Sequence, residues 1–290
     1  MKFLKKIYGG LNLTWGKVIL FAVIAGVYTG VMALLPFARD TSLEDISIFF
    51  ECWILFGILI IMNSKSNLDS ALKCFVFFLI SQPIVYLVQV PFYEEGWKIF
   101  GYYRNWIVWT ILTLPMGYIG YYMKKDKWWG ILILLPMLVF LASHAMGYLS
   151  KAVFWFPRHL LSCLVCLATM IGSVLGIFTD KKARIIGMAA NAVLIVGIIV
   201  AAIVDPYTYN TTLMIGDGSR GAVFDDTYEV SMDPRYGEVK IDYSEGIETY
   251  MLDAAFRRAG TTEVVLKAPD GTQTVFEVKI RYDGYDLQKK

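Results

Sequence analysis

The sequence predicts an α-helical polytopic membrane protein with seven transmembrane helices, followed by a small all-β extracytoplasmic sandwich domain. Three features predict it: the length of the apolar runs, the alternation of charge between their connections, and a change of texture near residue 205.

Apolar residues make up 57% of the chain and charged residues only 18%, against about 45–50% and about 25% in an average soluble domain. The excess falls in seven runs, roughly 17–36, 46–63, 71–90, 105–123, 130–149, 158–178 and 185–204. Runs of this length match a hydrocarbon layer about 30 Å thick crossed at 1.5 Å per residue. The expected organisation is an interfacial cytoplasmic segment over 1–16, a bundle over 17–204 and a β domain over 205–290.

Connections on one side carry Lys2, Lys5, Lys6 and Lys17, then Lys65 and Lys73, then Lys124, Lys125 and Lys127, then Lys181, Lys182 and Arg184. Those on the other side mix cations with acids: Arg39 with Asp40, Glu44 and Asp45; Lys98 and Arg104 with Glu94 and Glu95; Lys151 with Arg158. Lysine-rich loops stay in the cytoplasm, so an odd number of spans puts the N-terminus inside and the C-terminus outside. The location expected is a bacterial cytoplasmic membrane. The basic loops face anionic inner-leaflet lipid, which accounts for them without nucleic acid.

The first run, "KVILFAVIAGVYTGVMALLP", is too long for a signal h-region and lacks a small-residue cleavage site. The leading "MKFLKKIYGGLNLTW" is basic and interspersed with aromatics, as expected of a segment in the headgroup layer. Cys52, Cys74, Cys163 and Cys166 all fall inside runs, so no disulfide framework is expected.

From Asp205 onward there are 16 acids and 10 bases, a net of −6, whereas the first 204 residues carry a net of +8. "TTLMIG", "TYEVSM", "GEVKIDY", "TEVVLK" and "TVFEVKIRY" read as strands, and "GDGSRG", "MDPRYG" and "APDG" as tight turns. The ending "AAFRRAGTTEVVLKAPDGTQTVFEVKIRY" resembles the last strands of bacterial Ig-like domains. That resemblance implies a fold and no activity. It fits protein contact, spacing from the membrane or capping of the bundle. Asp217, Asp225 and Asp226 lack the ligand spacing of an EF-hand.

An ionisable side chain inside a span costs roughly 2.5–3.5 kcal/mol on insertion scales, so each one marks a candidate site. Glu51, His144 and His159 all lie in the outer third of their runs, which predicts an outward-facing polar pocket rimmed by Arg39, Glu94, Glu95, Arg104 and Arg158. Gln82 and Gln89 add amides from the third run. Pro83, Pro115 and Pro136 lie inside three successive runs and free carbonyls that side chains or water must satisfy. His159, Cys163 and Cys166 share one helical face at i, i+4 and i+7. The two thiols are expected to pack as small apolar residues.

Fragments also resemble the membrane-embedded CAAX-type proteases, whose motifs run E-E-x-x-x-R, F-x-x-x-H and H-x-x-x-N. Glu94 and Glu95 open the first, with Ile99 in the arginine position; Phe140 and His144 match the second; His159 opens the third, with Cys163 in the asparagine position. The sequence contains no Walker loop, dinucleotide fingerprint or serine elbow.

The favoured reading is a non-enzymatic protein that binds or moves a small solute or lipid through the pocket, with no cofactor and no resident metal. The β domain would then cap the bundle or contact a partner protein. Two alternatives are an intramembrane metal-dependent hydrolase using Glu51, His144 and His159, and an accessory subunit of a membrane complex.

Overall fold

The computed structural model describes residues 2–94, 96–215, 224–246, 248–282 and 284–290, with Phe50 described by its backbone alone. Glu95 and the whole "GDGSRG" turn, with Asp217, lie outside the described residues. The chain divides into two compact units. One comprises Met1–Leu149 with Pro157–Ala201; the other comprises Ser150–Phe156 with Ala202–Lys290.

The first unit is helical: α1 (Lys2–Ile7), α2 (Trp15–Leu34), α3 (Ser42–Ile48), α4 (Phe50–Met62), α5 (Asn67–Gln89), α6 (Tyr103–Gly120), most of α7 (Gly130–Phe154), α8 (Leu160–Ile177) and most of α9 (Lys181–Val204). Five of these, α2, α5, α7, α8 and α9, are individually long and apolar enough to cross a membrane. The other two expected spans take a different form. The second run is split at Phe49 into α3 and α4, bent by 41°. Alone, the 13 residues of α4 rise only about 20 Å, short of the hydrocarbon thickness. The fourth run forms α6, 18 residues long, which opens on Arg104 and Asn105 and carries Pro115 and Gly117. Those residues hold its hydropathy below that of the other five.

Close backbone approach sets the bundle's tightest contact. A Cβ on Gly26 would sit 2.6 Å from the Ser81 carbonyl oxygen, and one on Gly30 2.8 Å from that of Val85. The bare face of α2 therefore lets α5 in directly, as small residues spaced by four do in membrane helices. Phe21, Trp53, Phe56 and Phe77 fill the space beside it, with Phe21 and Phe56 edge-to-face at 4.8 Å.

The lysine-rich connections meet at one end of this unit. Lys124 Nζ donates to the Ser64 carbonyl at 2.7 Å, and the Tyr121 hydroxyl donates to that of Lys65. Asp126 Oδ1 accepts from the Thr179 amide at 2.8 Å and the Asp180 amide at 3.1 Å, and the Thr179 hydroxyl also bonds the carboxylate. Asn63 accepts from the Leu11 amide and donates to the Ile7 carbonyl. The amino-terminal segment is thus anchored in the unit. Tyr8 is buried, its hydroxyl 3.2 Å from Ser173 Oγ, and its ring fills the place a Cβ on Gly176 would take.

The second unit contains two antiparallel sheets. One has the order β1 (Tyr209–Leu213), β4 (Thr249–Phe256), β3 (Gly237–Ser244); the other runs β2 (Glu229–Met232), β5 (Gly260–Lys267), β6 (Gln273–Arg281), β7 (Gly284–Lys289). Leu252, Ala254 and Phe256 from the first sheet and Val264, Val278 and Ile280 from the second join one buried cluster, together with Phe154. Gly237 has φ +140°, and a Cβ there would meet the Ala255 oxygen at 2.0 Å, so only glycine fits the start of β3. Two strands were not foreseen. β4 reads "TYMLDAAF", rich in Leu, Met and Ala, and shows its nature only in the alternating burial of Leu252, Ala254 and Phe256. β7 follows the strand expected to be the last.

Candidate functional site

Two polar features lie in the helical unit. The first is a buried cluster of acids and imidazoles. The Thr41 hydroxyl caps α3 by accepting from the Leu43 amide, and α3 carries Asp45 in its first turn. Glu51 occupies the first turn of α4, where the unpaired amides of a helix start favour a carboxylate. Asp45 and Glu51 are 4% and 1% exposed, so both need partners within the protein.

α7 supplies partners to Glu51. Phe140, His144 and Tyr148 recur every four residues and so share one face. Tyr148 donates its hydroxyl to Glu51 Oε1 at 2.7 Å, and His144 Nδ1 lies 2.8 Å from the same oxygen. Phe140 stacks on His144 with ring centroids 4.7 Å apart. Glu51 Oε2 is buried with no hydrogen-bond partner among the described residues.

The start of α8 supplies partners to Asp45. His159 is the residue before the helix rather than part of its face, with φ +62° and ψ −6°. A left-handed backbone at a residue other than glycine costs about 1 kcal/mol or more, and two contacts hold it in place. Its Nδ1 lies 2.7 Å from Asp45 Oδ2, which also accepts from the Ser162 hydroxyl at 2.7 Å. Tyr148 stacks on the His159 ring, 6.3 Å between centroids and 8° from parallel. Tyr148 thus joins the two halves of the cluster.

The metal-dependent alternative required Glu51, His144 and His159 on one ion. Glu51 and His144 do meet, but His159 is engaged with Asp45, and Tyr148 contacts both imidazoles. Among the described residues, no three His, Cys, Asp or Glu side chains are placed to share an ion. In the protease-like fragments, Glu94 is exposed in a turn and Glu95 lies outside the described residues. Cys163 and Cys166 are buried in the helical core as free thiols.

The second feature is an open polar cavity of about 240 Å³ beside the α2–α3 connection. Arg39, Glu44, Gln82, Tyr86, Gln89 and Tyr93 line it. Gln82 and Gln89 are seven residues apart on α5 and present their amides to one side. The Gln89 amide donates to the Val85 carbonyl at 2.9 Å. Gln82 is 3% exposed, yet its Nε2 donates to nothing among the described residues. Glu44 accepts from the Asp40 amide.

Of the residues singled out in the sequence, Gln82, Gln89 and Arg39 therefore share the cavity, while Glu51, His144 and His159 belong to the acid–imidazole cluster, in which the His144 side chain is half-buried. Arg104 is exposed at the start of α6, and Arg158 is half-buried beside His159; neither lines the cavity. The sequence reading missed Asp45, Tyr148 and Ser162. The i, i+4 spacing of His144 and Tyr148 was the available signal for Tyr148.

The chain matches no family model, no curated protein and no solved structure.

Proposed function

We propose that this chain is a seven-span protein of a bacterial cytoplasmic membrane that binds or moves a small solute or lipid through the Arg39–Gln82 cavity. The amino terminus lies inside and an Ig-like β-sandwich stands outside, where it contacts a partner protein. The gathering of four lysine-rich segments at one end of the helical unit supports this orientation.

The reading rests chiefly on Gln82. A buried amide donor without a partner loses about 1–3 kcal/mol, which a ligand bearing an acceptor recovers. Arg39 adds a guanidinium at the same cavity, and the Glu44 carboxylate beside it is held by the Asp40 amide, so the acceptor is best supplied by a group that pairs with Arg39, such as a phosphate. The acid–imidazole cluster then serves the architecture: it ties α3 and α4 to α7 and the start of α8.

The test is thermal unfolding of the full chain with and without millimolar inorganic phosphate. The expected result is a phosphate-dependent rise of the midpoint that Arg39→Ala and Gln82→Leu abolish and Arg104→Ala retains. An equal rise in all four proteins would overturn the assignment.

A further inference from the structure

A second cavity adjoins the polar one. It also has a volume of about 240 Å³, and residues of α4, α5, α6 and α7 line it, among them Ile54, Gly57, Phe78, Met116, Met137 and Phe140. Trp53 and Trp106 line both cavities, so the two spaces meet at these residues.

The second space is apolar. None of its lining residues is charged, and besides the indoles of Trp53, Trp106 and Trp109 its polar side chains are Thr113, whose hydroxyl donates to the Thr110 carbonyl at 2.6 Å, and Cys74, whose Sγ lies 3.8 Å from the Gly57 carbonyl. Water therefore finds little to bind there. An apolar cavity of roughly 150 Å³ stays dry and takes up benzene, and this one is larger. Gly57 keeps it open. A Cβ built at Gly57 meets nothing within 4 Å, although glycine inside a helix costs about 0.5–1 kcal/mol relative to alanine. The wall also reaches the exposed face of α6 at Trp109 and Met116, which gives a chain a way in from the side.

We propose that the two cavities form one site for an amphiphile: an anionic, acceptor-rich head group at Arg39 and Gln82, and a hydrocarbon chain threaded past Trp53 and Trp106 into the space at Gly57. This rests on the polar cavity being a ligand site and names the ligand class. Each half explains what the other lacks. The head group satisfies the Gln82 amide, and the tail fills a space that no side chain of the protein occupies.

The full chain in phosphatidylcholine nanodiscs is titrated with 12-bromododecyl phosphate, whose bromine quenches the tryptophans it reaches. Saturable quenching is expected for the native protein. Gly57→Leu is expected to weaken it about tenfold, the worth of displacing two buried methylenes, and to leave the phosphate-induced rise in thermal midpoint intact. Gln82→Leu is expected to weaken both responses. Met137→Phe, which narrows the same space, replaces Gly57→Leu if that variant does not fold.

Unchanged quenching in a folded tail-space variant would overturn the tail site while leaving the head-group reading in place. A native phosphate response without saturable quenching would do the same. Saturable quenching by 12-bromododecanol with equal affinity would overturn the anionic head group. If the native protein responded to neither phosphate nor dodecyl phosphate, both readings would fall.

Discussion

The acid–imidazole cluster and the open cavity both draw on polar side chains within the helical unit and handle them differently. In the cluster, Asp45, Glu51, His144, Tyr148, His159 and Ser162 bond one another across α3, α4, α7 and α8, and Glu51 Oε2 is left without a partner among the described residues. In the cavity, Gln82 is as deeply buried as Asp45 but leaves its donor unpaired. The contrast shows that burial of a polar group does not by itself mark a binding site. What distinguishes the two is that each ionisable group of the cluster already has at least one partner from another helix, whereas the Gln82 amide nitrogen has none among the described residues.

The largest effect that would sharpen this contrast is on the cluster. Asp45→Ala removes the acceptor for both His159 and Ser162 and leaves an imidazole buried in a strained backbone. Breaking a buried pair in this way costs about 3–5 kcal/mol, read as a large drop in the thermal midpoint of the full chain. A drop no larger than that of an exposed control such as Glu94→Ala would mean that the cluster is not structural. Gln82→Leu is expected to behave in the opposite sense. Without ligand it should leave stability unchanged or raise it by about 1 kcal/mol, because an unsatisfied donor is lost. A marked destabilisation would show that Gln82 belongs to the fold after all.

The smallest effect concerns the Asp126 latch at the lysine-rich end. Burial alone would raise its carboxyl pKa, but bonds from the Thr179 hydroxyl and the Asp180 and Thr179 amides, with Arg184 nearby, bring it below the ordinary carboxylate value. A depressed folded-state pKa adds stability above the unfolded value of about 3.9, and that stability is lost as pH falls through the folded value. Asp126→Asn should therefore lower the midpoint slightly at pH 7 and flatten its fall below about pH 4. An unchanged acid limb in the variant would remove Asp126 from the latch.

The five long apolar helices were legible because hydrophobic length is a local property, and the strands with β-branched residues were legible for the same reason. The split at Phe49 was hidden, since the run over 46–63 carries no proline or glycine near the break, and Asp45, just before it, meets His159 and Ser162 more than a hundred positions away. Glu51, His144 and His159 stood out as ionisable groups at membrane depth. Their partners did not: Asp45 read as one more acid in an outer loop, and Tyr148 as an aromatic at a span end. Which polar residues meet is fixed by helix packing between segments over a hundred positions apart, as with Asp45 and Ser162. The glycines of α2 and α4 carried the rest of the information, and they become readable only once a neighbouring helix is in place.

The buried contact of Tyr8 with Ser173 has a consequence for biogenesis. The two residues are 165 positions apart, so at translation rates of about 5–20 residues per second the amino-terminal segment waits on the order of 10–30 s for α8 to be made. Only then can Tyr8 settle against Gly176. Tyr8 is thus among the last residues of the bundle to reach its place, although it is made long before its partner, and a bulky insertion beside it would delay closure of the bundle more than the insertion of any single helix.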